Sequence, residues 1–189
     1  MHTRHLVATL SLLITPAVTL AQTASDSTPR PGAWAAEVFV RDGGTGGSLL
    51  RFLSSRNALV MGLDANVMNV DTDGPGTSSV EGTTSNFGLR LGMRTYRQSG
   101  TEQLRPVFGF GARGGYSDGG SGFTSWTAGA YGELGAVYFL TPHVSLGATG
   151  ELEASFGKRT QTVGSGVKLE QKMAGVSGTL IRVMLGVYF

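Results

Sequence analysis

Two glutamates, Glu151 and Glu153, have the residue type and spacing of an acid–base pair. Residues two apart on a strand point to the same side, so their carboxylates would lie close enough to act as general acid and base. The same side of other segments carries arginines, among them Arg90 and Arg113. Because carboxylates beside arginines form ion pairs, we predict a structural role for both glutamates.

Two glycine motifs match patterns known from enzymes. Gly109 to Gly114 spells G-x-G-x-x-G, but dinucleotide binding needs a helix and a βαβ unit after it, and neither follows. Gly115 to Gly119 spells G-x-S-x-G, which in hydrolases needs a strand-to-helix turn and a histidine partner. The strand pattern puts His143 at the opposite end of the molecule from Ser117. We therefore predict no catalytic residue and no bound cofactor.

The case for a metal site is equally weak. Asp71 and Asp73, in the stretch DTDGPG, could contribute to a surface calcium site, but two carboxylates lack the remaining oxygen ligands. The chain contains no cysteine, which excludes disulfides and thiolate metal sites. We predict no metal site and interpret DTDGPG as a solvated turn.

The N-terminus has the layout of a signal peptide over residues 1–21. A basic start, MHTRH, precedes the apolar run LVATLSLLI, and Thr19-Leu20-Ala21 supplies small residues for cleavage after Ala21. The alternative is a membrane-spanning helix, but the apolar stretch Leu6 to Leu20 is short for one and contains Pro16. Residues 22–32 are polar and contain proline, and we predict a flexible lead-in to a single domain over 33–189.

Beyond Gly32 the sequence alternates between apolar and polar residues, which is typical of strands with two different faces. We predict eight antiparallel strands, near residues 33–41, 48–54, 58–70, 84–97, 105–116, 125–140, 144–158 and 171–189. An even number brings the first and last strands side by side, so an all-β up-and-down barrel can close without an unpaired edge. Closure would also hold the apolar last strand, IRVMLGVYF.

The face opposite the apolar one carries five bases and five acids. They are Glu37, Arg51, Asp64, Arg90, Arg94, Arg113, Glu133, Glu151, Glu153 and Arg182. A soluble barrel of the lipocalin kind would turn this face to water, whereas a membrane barrel turns it into the lumen. Glycines such as Gly88, Gly109 and Gly178 alternate with the charges on this face, and in a narrow interior they would leave room for Arg and Glu side chains. We therefore predict a transmembrane barrel with a lumen ion-pair network.

These features resemble the eight-stranded bacterial outer-membrane barrels and are similar to those of the outer-membrane protein A and X group. The alternating Leu185, Val187 and final Phe189 look like the signal read by the outer-membrane assembly machinery. The resemblance implies location in the outer membrane, with short turns on the periplasmic side and longer loops outside. DTDGPGTSSVEGT and RTQTVGSGVKLE fit as outer loops, and SSRN and TPH fit as inner turns.

Aromatic residues are expected at both membrane interfaces. Trp34, Tyr138 and Phe189 lie near the predicted periplasmic rim, and Tyr116 and Trp126 near the outer rim. Ordinary strand packing is the alternative explanation. In the outer loops, Lys158, Arg159, Lys168 and Lys172 could contact lipopolysaccharide headgroups or could simply be solvated.

The sequence therefore predicts a monomeric outer-membrane barrel with a structural or surface-interaction role and a mostly closed lumen. Its expected partners are outer-membrane lipids, lipopolysaccharide and the assembly machinery. No basic block suited to nucleic acid is present. The alternatives are a narrow pore or transporter of small or hydrophobic solutes, a soluble binding barrel, and a lipid A-modifying enzyme. The resemblance implies that such an enzyme would need a histidine near the outer leaflet.

Overall fold

The computed structural model describes most of the chain beyond the predicted leader. The described residues are 29–41, 44–72, 80–101, 103–119, 122–163 and 166–189. The predicted signal peptide and its cleavage site lie outside these ranges, as do Asp73 and most of the lead-in. No helix in the described ranges is long and apolar enough to cross a membrane.

Eight antiparallel strands form one closed barrel, in which each strand pairs with its neighbours in sequence and β1 pairs with β8. This confirms the predicted fold class. The strands are β1 (Trp34–Arg41), β2 (Gly44–Phe52), β3 (Asn57–Thr72), β4 (Val80–Tyr96), β5 (Leu104–Asp118), β6 (Phe123–Thr141), β7 (Val144–Val163) and β8 (Val167–Tyr188).

The barrel closes at the two ends of the domain. β1 and β8 pair from Ala35 with Tyr188 to Arg41 with Arg182. Beyond that ladder, the Trp34 N–H donates to the Phe189 carbonyl at 2.9 Å, and the Phe189 N–H donates to the Trp34 carbonyl at 2.8 Å. Phe189 is therefore held by two backbone hydrogen bonds, which is how an apolar residue is kept from fraying at a chain end.

Two predicted turns are largely strand. β2 begins at Gly44 rather than at residue 48, so most of the glycine-rich DGGTGG stretch pairs with β1 and β3. The predicted outer loop RTQTVGSGVKLE is mostly a hairpin in which Val163 lies opposite Val167. Pairing satisfies the backbone N–H and C=O groups whether or not the side chains alternate, so alternation alone underestimates such strands.

The wall of the barrel is uneven in height. β1 has 8 residues and β2 has 9, whereas β7 has 20 and β8 has 22. Crossing a bilayer takes roughly 9–11 residues of a tilted strand. β1 therefore falls just short of that length and β2 reaches its lower end, whereas β7 and β8 are each about twice as long as a crossing requires. We call the part of the β7–β8 hairpin beyond Glu153, residues 154–163 and 166–177, the outer ribbon.

A register shift lies where β7 and β8 leave the main wall. Thr149 is opposite Arg182, but Glu151 is opposite Thr179, so β8 has one extra residue at this point. The shift places Gly178 beside the outward-facing Leu152 rather than on the lumen face, where its alternation with Arg182 had predicted it. Such an irregularity exchanges the two faces of a strand beyond it.

The half of the lumen nearest the β2–β3, β4–β5 and β6–β7 turns is filled mainly by apolar side chains. This apolar layer consists of Ala35, Phe39, Leu50, Phe52, Ala58, Val60, Tyr96, Val107, Val137, Phe139, Met184 and Tyr188. Ring centroids are 5.4 Å apart for Phe52 and Tyr96, and 5.1 Å apart for Phe139 and Tyr188. The prediction of a charged lumen is thus wrong for most of this half, because eight strands enclose a space that large side chains can fill without polar partners. Arg105 is a buried charge within it, and its guanidinium lies 5.7 Å from the centre of the Phe139 ring.

Phe39 depends on a neighbouring glycine, which provides a test of this packing. A Cβ on Gly46 would lie 2.5 Å from Phe39 Cζ and 2.6 Å from the Leu63 carbonyl oxygen. A Cβ on Gly47, on the other face, would meet nothing closer than the Glu37 carbonyl oxygen at 3.5 Å. We expect Gly46→Ala to lower the free energy of unfolding by about 1–3 kcal/mol, the usual effect of overpacking.

Gly47→Ala is the matched control and should change stability by less than about 0.5 kcal/mol. Urea unfolding in lipid vesicles, followed by the shift between folded and unfolded bands on an unboiled gel, measures both variants. Equal stabilities for the two would show that Phe39 is not tightly packed against β2.

Candidate functional site: the lumen ion network and the outer wall

The deepest part of the ion network surrounds Arg94 on β4. Its Nη1 donates to Glu37 Oε1 at 2.6 Å, and its Nε donates to Glu133 Oε1 at 2.6 Å. All three side chains are almost fully buried, with relative exposures of 0% for Arg94 and 1% for each glutamate. The network therefore begins with an arginine held between two carboxylates, directly above the apolar layer.

Two more arginines connect Glu133 to Glu151. Arg182 Nη2 donates to Glu133 Oε2 at 2.7 Å, and its Nη1 donates to Glu151 Oε2 at 3.3 Å. Arg90 makes the same two connections, at 3.2 Å to Glu133 and 2.9 Å to Glu151. The guanidinium of Arg182 also lies 4.9 Å from the centre of the Phe39 ring, so a cation–π contact joins the ions to the apolar layer.

The outer end of the network is more open to solvent. Arg113 Nη1 donates to Glu153 Oε2 at 2.9 Å and to Glu151 Oε1 at 3.2 Å, while its Nη2 donates to Asp64 Oδ2 at 3.0 Å. Arg41 Nη2 completes the chain, donating to the same Asp64 oxygen at 2.6 Å. The exposure of Glu153 rises to 16%, which shows that water reaches this level from outside.

The structure brings nine of the ten predicted lumen residues together and places the tenth elsewhere. Arg51 lies on the outer face, where its guanidinium is 5.1 Å from the centre of the Trp34 ring. Sequence reasoning failed because β2 is apolar on both sides here, with Leu50 and Phe52 filling the lumen. Arg41 takes the place of Arg51 in the network. It lies four residues from Glu37 on β1, so the two side chains face the same way, and this spacing could have revealed Arg41 in the sequence.

Glycines on the lumen face make room for these charges. A Cβ on Gly62 would lie 2.6 Å from Arg90 Cγ, one on Gly109 would lie 2.6 Å from Glu133 Oε1, and one on Gly88 would lie 2.5 Å from Asp64 Oδ2. A Cβ at any of these positions would therefore force the neighbouring charged side chain to move. The alternation of glycine with charge in the sequence has this packing as its cause.

The outer face of the wall is apolar and exposed. Leucines on this face alternate with the lumen residues, and several are more than half exposed, including Leu63, Leu89, Leu134 and Leu152. A water-soluble protein does not expose a continuous apolar band of this kind, whereas a membrane barrel turns such a band to lipid.

No protein-family model and no curated protein matches the chain. Solved structures do. The outer-membrane protein OprG from Pseudomonas aeruginosa superposes with a TM-score of 0.61 at 16% identity, over 87% of this chain and 99% of OprG. The outer-membrane protein AlkL, solved in lipid bilayers, superposes with a TM-score of 0.59 at 14% identity, over 91% of this chain and 97% of AlkL. The N-terminal β-barrel domain of Pseudomonas aeruginosa OprF gives 0.50 at 14% identity, over 84% and 98%.

The chain folds as an eight-stranded outer-membrane β-barrel. The apolar outer band and the shared fold together place it in the bacterial outer membrane. The β2–β3, β4–β5 and β6–β7 turns lie at one end of the barrel together with Phe189, and the resemblance predicts that this end faces the periplasm. At identities this low the similarity describes the fold, and the role of the protein has to be argued from its own residues.

The positions of the enzyme-like motifs on this barrel do not support catalysis or phosphate binding. Gly109 to Gly114 lies within β5 and is continuous strand, so the backbone offers no helix N-terminus for a phosphate. Ser117 lies at the outer end of β5, whereas His143 lies in the β6–β7 turn, where its Nδ1 is 3.0 Å from the Tyr188 carbonyl oxygen. The barrel separates the serine from the histidine. The described ranges contain no cluster of three potential metal ligands, and the Asp71 and Asp73 side chains lie outside the described residues.

The predicted rim aromatics and assembly residues lie on the outer face of the barrel. Tyr116 and Trp126 are cross-strand partners near the outer end. Tyr138, near the other end, donates its hydroxyl to Gln103 Oε1 at 2.5 Å. Leu185, Val187 and Phe189 all point outward along β8, and their recognition by the assembly machinery stays a prediction.

A furrow of about 470 Å³ marks the lipid-facing surface of β6, β7 and β8. Outward-facing Gly132 and Gly178 form its floor, and Leu134 and Leu152 stand beside them. Glu133 and Glu151 also contribute to its lining, and their carboxylates belong to the ion network. The furrow is thus an apolar depression in the wall with buried ions behind it.

The acids of the network differ in how many arginines they pair with, and this difference provides a second test. Glu133 accepts hydrogen bonds from Arg90, Arg94 and Arg182, whereas Glu153 has Arg113 as its ion-pair partner among the described residues. We expect Glu133→Gln to lower the free energy of unfolding by about 3–5 kcal/mol, because it leaves buried guanidinium charge uncompensated.

Glu153→Gln removes the same charge by the same chemistry and should cost less than about 1 kcal/mol, since water screens the outer end of the network. Tryptophan fluorescence during urea unfolding in vesicles measures both. Comparable losses of stability in the two variants would mean that burial does not determine how much each carboxylate contributes to stability.

Proposed function

We propose that this protein is a closed outer-membrane barrel with a structural and surface-interaction role, presenting its outer ribbon to the exterior. A single observation carries the proposal: two successive layers occupy the lumen. The apolar layer fills the periplasmic half, and the ion network lies directly above it.

Each layer opposes the passage of solutes for a different reason. The apolar layer offers few hydrogen-bonding groups, chiefly the hydroxyls of Tyr96 and Tyr188, so a hydrated ion would have to lose most of its water to enter. The ion network would have to separate charges such as Arg182 and Glu133 in a nearly dry environment, which costs several kcal/mol per ion. A solute that crossed the barrel would have to displace both layers.

The described residues include no set of side chains arranged for catalysis. The carboxylates of Glu151 and Glu153 are each engaged by arginine, so neither is poised to take up a proton from a substrate. The position of His143 on the periplasmic side also argues against lipid A modification at the outer leaflet. We therefore propose a non-enzymatic protein.

Transport of a small apolar solute is the second candidate, and the furrow between Leu134 and Leu152 favours it. An apolar molecule could enter this depression from the lipid without meeting water. Behind the furrow it would meet Glu133 and Glu151, which are paired and buried. Transport would therefore require the ion network to rearrange, whereas the closed barrel requires no motion.

Planar bilayer recordings test the closed lumen. We expect no stable open-pore current from the wild type. Phe139→Ala, which thins the apolar layer, and Glu133→Gln, which weakens the ion network, should each remain closed because the other layer is intact. The combined variant should conduct, provided that an unboiled gel shows it folded.

A large, stable current from the wild type would overturn the closed barrel. Liposomes loaded with a fluorescent reporter of an apolar solute address transport directly. Saturable entry through the wild type, abolished by filling the furrow with Gly132→Leu and retained in a control such as Ala130→Leu on the same face, would favour the second candidate instead.

A further inference from the structure

All three lysines of the chain lie on the outer ribbon. Lys158 is on β7, and Lys168 and Lys172 are on β8. Lys158 lies directly opposite Lys172, and Lys168 lies opposite Thr162. Continuing the alternation from Leu152 and Phe156, whose side chains face outward, places all three lysines on the outward side of the ribbon. We call them the lysine patch.

The charge of the lysine patch is not balanced within the ribbon. Glu170 is the acid of the ribbon, and its Oε1 lies 2.6 Å from Lys158 Nζ. Three lysines against one glutamate leave 3 − 1 = +2. Lys158 and Lys172 lie directly opposite each other, and like charges in this position destabilise a hairpin. Lys172 has no ion-pair partner in the described part of the chain, so the patch has room for an external anion.

Aromatic neighbours fix the depth of the patch in the membrane. Trp126 on β6 is the cross-strand partner of Lys158, and its ring packs edge-on against Phe156 with centroids 6.2 Å apart. Adjacent strands are about 4.8 Å apart, so Lys158 and Trp126 lie at nearly the same depth. Exposed tryptophan beside apolar residues is typical of the membrane interface. Lys158 and Lys172 therefore stand where acyl chains give way to headgroups. Lys168 lies opposite Thr162, four residues farther out along the ribbon, at the level of the headgroups above them.

Arg159, the remaining basic residue of the outer ribbon, faces away from the lysine patch. The Arg159 guanidinium lies 4.0 Å from the centre of the Phe123 ring, on the opposite side of the ribbon. That contact occupies the arginine and removes it from the outward surface. Of the four basic residues that the sequence placed in the outer loops, the three lysines alone form the outward patch.

We propose that the lysine patch binds the phosphate groups of lipopolysaccharide, through the lipid A headgroup in the outer leaflet. Ammonium groups are effective phosphate ligands, and a patch at the interface meets phosphate there without leaving the membrane surface. This proposal rests on the surface-interaction role in the proposed function and gives that role a specific partner. It does not depend on whether the lumen is closed.

The test uses the full chain in detergent, with bisphosphorylated lipid A as the probe and native mass spectrometry as the readout. Each lysine near the surface contributes about fivefold in affinity, so the variant K158Q/K168Q/K172Q should bind lipid A roughly a hundredfold more weakly than the wild type. The variant R51Q/R56Q/R97Q removes three exposed charges near the periplasmic rim and is the matched control. It should bind as the wild type does.

Two further measurements distinguish the source of the anion. Lipid A stripped of its phosphates should bind the wild type as weakly as intact lipid A binds the lysine variant. Millimolar inorganic phosphate should displace little lipid A, because it lacks the membrane anchor. The single variant Lys172→Gln, which breaks no described ion pair, should lose about fivefold and keeps the test valid if the triple variant misfolds.

Equal lipid A affinity in the lysine and arginine variants would overturn the proposal, as would unchanged binding of dephosphorylated lipid A or full displacement by inorganic phosphate. None of these outcomes alters the conductance result. Failure of the lipid site is therefore distinguishable from failure of the closed barrel.

Discussion

The ion sharing at Glu133 is the constraint on which the rest of the barrel depends. Three arginines on β4 and β8 converge on this carboxylate of β6, and no bulk water is present to compensate for a missing partner. Sliding β4 by one residue would turn Arg90 and Arg94 toward lipid, at about 2–4 kcal/mol each near the midplane, and sliding β8 would do the same to Arg182. The network thus fixes the register of strands that are far apart in sequence, beyond what backbone hydrogen bonds alone can specify.

The two layers of the lumen solve the same packing problem in different ways. Near the periplasm, Phe52, Tyr96 and Tyr188 fill space with rings and require few polar partners. Higher in the barrel, long arginine side chains fill space but bring charge, which five carboxylates neutralise. Phe39 lies at the boundary, with Arg90 and Arg182 over its ring and glycine behind it. The closure that we propose for the lumen would come from this continuity rather than from a separate plug.

Much of this arrangement was predictable from the residues. Alternation revealed eight strands, their closure and nine members of the ion network, because a lipid-facing wall forces apolar and charged residues onto opposite sides. The errors fall where that contrast disappears. At Arg51 both faces of β2 are apolar, and at Gly178 an extra residue exchanges the faces. In the outer ribbon polar residues occur on both faces, such as Lys158 on one and Arg159 on the other, so the hairpin resembled a loop in the sequence. The partner chosen by each arginine depends on distances across the lumen, which no pattern along one strand encodes.

The uneven height of the wall has a consequence for how molecules meet one another above the membrane. In the described chain β8 pairs with β1 only from Arg182 onward, so its outer segment borders no strand on that side. An unpaired strand edge of this kind can pair with a strand of another copy, and repeated pairing leads to fibres. Lys168 and Lys172 lie along it, and an approaching strand would have to strip water from both ammonium groups. Their positions therefore discourage self-association where β8 is left without a neighbour.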